Sequence, residues 1–121
     1  MKQLQTLKLA DTLVPLVWNE DKTATVRTGY RDIQPGALVL EAADGGWPDT
    51  LVTVTEVLHT KLADVPDRAL KAEGLFDTLA LLNSLRCYYP DVTLDSPVTT
   101  VLWTDARFRD GAGPAPSQLA A

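Results

Sequence analysis

A chain of 121 residues has room for one domain and too little for two of ordinary size. Hydrophobic residues at 45% and charged residues at 22% describe a globular protein, and no apolar run nears the roughly 20 residues that span a bilayer. Asp and Glu number 16 against 11 Lys and Arg, and the resulting net charge of −5 works against broad nucleic-acid binding through many phosphate contacts, though not against a local basic pocket for one nucleotide or nucleoside.

The first residues, Met1 to Gln5, lack the apolar stretch of a secretory signal, and Cys87 as the single cysteine excludes an internal disulfide. A cytoplasmic location is expected. Leu4 to Leu9 reads as a strand in which Leu4, Thr6 and Lys8 alternate against Gln5, Leu7 and Leu9. Asp11 is placed to cap a short helix over residues 12–19, with Leu13, Leu16 and Val17 as its buried stripe and Trp18 as a packing residue.

A turn at Asn19-Glu20-Asp21 then leads into Lys22-Thr23-Ala24-Thr25-Val26-Arg27, where two cations and two hydroxyls crowd a β-prone segment. A strand starting at Thr23 puts Thr23, Thr25 and Arg27 on one face and turns Ala24 and Val26 inward. Lys22 falls at the mouth, its flexible stem free to swing to either side. This array suits an anionic or carbonyl-rich ligand, although a solvated edge strand has the same composition. Arg31 follows four residues after Arg27, either as a second cation at the pocket rim or as a surface partner of Asp32.

Pro35-Gly36 is a turn signal before a strand over Ala37 to Glu41, and Ala43-Asp44-Gly45-Gly46 is a hairpin connection with no helix behind it to make a phosphate loop. Leu51 to Leu58 is the longest strand expected. Its alternation breaks at Glu56, which predicts a bulge. His59, the one histidine, ends that strand as a surface residue; without a second His or Cys at ligand spacing, no metal and no cofactor are expected.

Asp64-Val65-Pro66 starts a helix that runs to Glu73 and stops at Gly74. Asp77 caps a second helix over residues 78–88, in which Leu81, Leu82, Leu85, Tyr88 and Tyr89 are spaced to face the core and Cys87 is a packing residue. A closing strand covers Val98 to Trp103. From Thr104 the apolar pattern fails, so residues 1–104 form the expected domain and 105–121 a disordered tail.

These elements predict an α+β fold: a small barrel of about five to six mostly antiparallel strands with two to three helices. The Lys22–Arg27 segment, the Gly36-led strand, the Ala72-Glu73-Gly74 step and the final strand together resemble the ASCH domain, a PUA-like β-barrel family. The resemblance spans residues 4 to 103. At Asp21 the chain departs from the glycine common in the family, which places a carboxylate beside Lys22.

Some ASCH proteins hydrolyse the amide of N4-acetylcytidine, and others bind or cleave RNA. The resemblance to the amidohydrolases implies Lys22, Thr25 and Glu73 as catalytic residues: Thr25 as nucleophile, Lys22 as base and Glu73 as its support. Thr23, Arg27 and Arg31 are the implied substrate-binding residues. Three functions follow: an amidohydrolase acting on an N4-acylcytidine, a non-catalytic module for RNA or a modified nucleotide, or a ribonuclease. The expected partner is a small nucleoside or modified base, with RNA as the alternative. Neither DNA nor a membrane is an expected partner, and the oligomeric state stays open.

Overall fold

Thr and Val dominate the two longest strands, and the chain uses them as the spine of its sheet. The structure, a computed structural model, describes residues 4–108. In chain order these form β1 (Gln5–Leu9), a 3-10 turn (Asp11–Leu13), α1 (Val14–Trp18), β2 (Ala24–Thr28), β3 (Gly36–Ala42), β4 (Thr50–Lys61), a second 3-10 turn (Leu62–Asp64), α2 (Asp67–Glu73), α3 (Thr78–Arg86) and β5 (Pro97–Phe108). The five strands make one mixed sheet in the order β1-β3-β4-β5-β2, curled into a half-barrel. All pairings are antiparallel except β1 with β3. The expected α+β class and strand number hold.

Alternate residues of β5 feed two separate cores. Val101 and Trp103 join Leu7, Leu9, Trp18, Leu38 and Val52 on one side. Val98 joins Val26, Leu62, Leu70, Leu81 and Leu85 on the other. The second core is the floor on which α2 and α3 lie. A sheet covered on both faces explains why Thr25, Thr50, Thr99 and Thr100 are buried along with their aliphatic neighbours. Trp18 donates from Nε1 to Thr50 Oγ1 at 2.6 Å, so the packing role expected for it comes with a satisfied polar handle.

The bulge expected at Glu56 is present as a register shift between Val54 and Glu56 in the pairing of β4 with β5. It turns the Glu56 carboxylate outward, where Arg68 Nη2 donates to Oε2 at 2.8 Å. Asp77 caps α3 as expected, accepting from Ala80 N at 2.8 Å.

Other boundaries moved, each for a visible reason. The expected helix over residues 12–19 divides into a 3-10 turn and α1. Asp11 does not cap it; its carboxylate accepts from Asp44 N at 2.9 Å and Gly46 N at 2.8 Å, pinning the β3–β4 loop. β5 runs to Phe108, past the boundary expected at 104, because Arg107 and Phe108 pair with Leu51 and Thr50 and the Phe108 ring meets Trp18 edge-on at 4.9 Å. The remainder of the expected tail, residues 109–121, lies outside the described residues. Helix α3 stops at Arg86, and Tyr88 and Tyr89 beyond it are exposed and do not enter the core. Cys87 is exposed beside them and does not pack.

Gly74 closes α2 with φ of 87° and ψ of 24°, the left-handed conformation that a side chain disfavours. Gly74→Ala is expected to lower stability by about 1 kcal/mol in urea denaturation.

Candidate functional site

The site begins with main-chain bonds that bring two distant segments together. Lys22 N donates to Leu16 O at 3.0 Å, which holds the turn after α1. Thr23 N donates to Ala72 O at 2.7 Å and Trp103 N to Thr23 O at 2.9 Å, so the start of β2 is fastened to both the last turn of α2 and to β5. Glu73, the next residue of α2, is thereby set beside Lys22. Lys22 Nζ donates to Glu73 Oε1 as a buried ion pair, with only 2% of the Lys22 side chain and 14% of the Glu73 side chain exposed. Asp21, closer in sequence, is not the partner of the ammonium; it is exposed.

Burial works against both charges. It pushes Lys22 below the usual ammonium range against the opposing pull of Glu73, with Arg27 adding a further push downward. It pushes Glu73 above the usual carboxylate range, against Lys22, Arg27 and the Val26 main-chain N–H. Burial therefore opposes the charge on both groups while their pairing supports it. Glu73 Oε2 is buried and makes no hydrogen bond of normal geometry among the described residues.

Glu73 also faces a cavity of about 210 Å³, walled by Thr25, Arg27, Glu73 and Ser84 on its polar side and by Leu9 and Leu85 among its apolar residues. Thr25 is 4% exposed and lies in β2 opposite Val101. Arg27, two residues on, reaches the other edge of the sheet: its Nη2 donates to Lys8 O, bridging β2 to β1 where the half-barrel is open. Burial and the nearby Arg31 lower the Arg27 pKa, and its Nε has no acceptor among the described residues. Tyr88, Tyr89 and Lys8 form the mouth.

Of the residues implied by the sequence, Thr25, Arg27 and Glu73 line one cavity, and Lys22 stands behind Glu73 without lining it. Thr23 does not join them. The strand begins one residue later than expected, and Thr23 lines a separate hollow with Glu20 and Asp105. Arg31 is also outside: its Nε donates to Thr28 O at 3.2 Å, and it acts on the site only by its charge on Arg27. Sequence reasoning missed Tyr88, Tyr89, Ser84 and Lys8. The alternation of β1 already set Lys8 on the outward face, and Pro90 was the signal that the helix could not carry the tyrosines inward. Among the described residues no cluster of three His, Cys, Asp or Glu could hold a metal ion, and no helix is long and apolar enough to cross a membrane.

A small mixed-sheet half-barrel with a buried lysine–glutamate ion pair beside a cavity is the class that fold and site define. Solved structures place that class more narrowly. An ASCH domain from Lactobacillus crispatus superposes with a TM-score of 0.62 at 15% identity, over 83% of this chain and 79% of that one. A protein from Enterococcus faecalis described under the family DUF984 gives 0.59 at 18% identity, over 85% and 80%. A point mutant of the Zymomonas mobilis ASCH protein gives 0.60 at 12% identity, over 91% and 78%. The chain has the ASCH-domain fold. No family model and no curated protein matches it by sequence.

Proposed function

We propose that the protein is a small amidohydrolase acting on the exocyclic amide of an N4-acylcytidine-type nucleoside. The observation that carries this reading is the buried Lys22–Glu73 pair, whose glutamate lines the same cavity as Thr25. A threonine hydroxyl attacks an amide only when a base takes its proton. Lys22, lowered by burial, is the base, and Glu73, which alone of the pair faces the cavity, passes the proton inward.

The step balances as acyl transfer. Thr25 Oγ bonds to the amide carbon, its proton moves to the Lys22–Glu73 pair, and the carbonyl oxygen takes up negative charge beside the Arg27 guanidinium. The C–N bond then breaks, N4 leaves with the proton returned from the pair, and cytidine departs. Water attacks the resulting Thr25 ester and releases the carboxylic acid.

The test is incubation of purified protein with N4-acetylcytidine, followed by chromatography for cytidine and acetate. Equimolar appearance of both is the expected result. Saturable binding without product would instead make the protein a base-binding module, and the catalytic roles of Lys22, Thr25 and Glu73 would be withdrawn.

A further inference from the structure

The charges around the cavity do not cancel. Glu73 is paired with Lys22, so Arg27 feels its charge but forms no ion pair of its own among the described residues; its Nη2 goes to a main-chain oxygen and its Nε to nothing. Arg31 stands near enough to add repulsion. Lys8, exposed at the mouth, likewise forms no ion pair among the described residues, although Glu41 is its register partner in β3. A chain of net charge −5 thus concentrates surplus positive charge at one small opening. Such a focus draws an anion.

Exposure sets the direction in which a ligand lies. Thr25 is 4% exposed and the Glu73 side chain 14%, whereas Tyr89 and Tyr88 at the mouth are 38% and 65% exposed. If the reacting amide of an acylated base sits at Thr25, the opposite end of the nucleoside, its 5′ position, emerges between the tyrosines and Lys8. A hydroxyl there makes no use of the ammonium. A phosphate does.

We infer that the ligand is a nucleoside 5′-monophosphate, with its base in the cavity and its phosphate on Lys8 at the open seam between β1 and β2. This rests on the amidohydrolase reading for the orientation of the base, but its own content is the anionic end. The cavity, about 210 Å³ in an acidic chain, suits one free nucleotide better than a strand of RNA.

The experiment is isothermal titration of the full chain with cytidine, cytidine 5′-monophosphate and a short cytidine oligoribonucleotide, at low and high salt. The monophosphate is expected to bind about tenfold tighter than cytidine at low salt, with the gap closing as salt rises. Lys8→Gln should remove most of that advantage, and Lys61→Gln, on a lysine paired with Asp95 away from the cavity, should keep it. Equal binding of cytidine and its monophosphate overturns the inference, as does an advantage that survives Lys8→Gln. Tighter binding of the oligonucleotide overturns the choice of a free nucleotide, and no binding by any of the three overturns it outright. A monophosphate advantage together with failure to hydrolyse N4-acetylcytidine sinks the catalytic reading alone.

Discussion

Lys22→Met is expected to destabilise the protein by about 3–5 kcal/mol, the loss typical of removing one partner from a buried ion pair. The reason is what stays behind. Glu73 keeps a carboxylate in a nearly dry setting with its one ion-pair partner gone, and Arg27 already has Nη2 committed to Lys8 O. Removing both charges is a different perturbation: Lys22→Met/Glu73→Leu should return to within about 1 kcal/mol of wild type, because desolvating the pair offsets most of its mutual attraction. Urea denaturation of the three proteins checks both values.

The single variant also has a predicted pH dependence. Burial raises the Glu73 pKa above its ordinary 4.5, so its protonated form is favoured in the folded state. That contribution is fully present below pH 4.5 and is lost as pH rises through the raised value. The deficit of Lys22→Met is therefore smallest in acid and grows toward neutrality.

Thr25→Val is expected to lower N4-acetylcytidine turnover by about a thousandfold or more, since it removes the oxygen proposed to attack the amide. Its effect on stability should stay within about 1 kcal/mol, because Val keeps the shape of the buried Thr25 side chain in β2. Thr25→Ser, which keeps the hydroxyl, should retain measurable turnover. In wild type the rate should climb with pH, because protonated Lys22 cannot accept a proton. The inflection should fall below the ordinary lysine value of 10.5, since burial dominates its environment. Initial rates across a pH series check this, and a flat profile would remove Lys22 as the base.

Local pattern made much of this legible. The break in alternation at Glu56 announced the bulge, Gly74 the end of α2, and Asp77 the cap of α3. What pattern could not carry was long-range pairing. Nothing in β1 marks it as parallel to β3, and Phe108 looks like tail until the start of β4 and the Trp18 ring are known to receive it.

The site divides in the same way. The spacing in β2 put Thr25 and Arg27 on one cavity, but Thr23, one residue before the strand begins, lines a separate hollow instead. Tyr88 and Tyr89 were misplaced because the face they share with Leu81, Ser84 and Leu85 runs out past the end of α3 along the cavity wall, where both rings stay exposed instead of entering the core. Pairing of Lys22 with Glu73 rather than Asp21 rests on the fastening of α2 to β2, a contact between segments about fifty residues apart that no local rule encodes.

The most direct test of the Lys22–Glu73 pair as the site's acid–base machinery is turnover of N4-acetylcytidine by wild type and by the folded Lys22→Met/Glu73→Leu protein, side by side. Wild type should release cytidine while the double variant, with its melting transition intact, releases none above the buffer control. Comparable cytidine release by the two proteins would contradict the account.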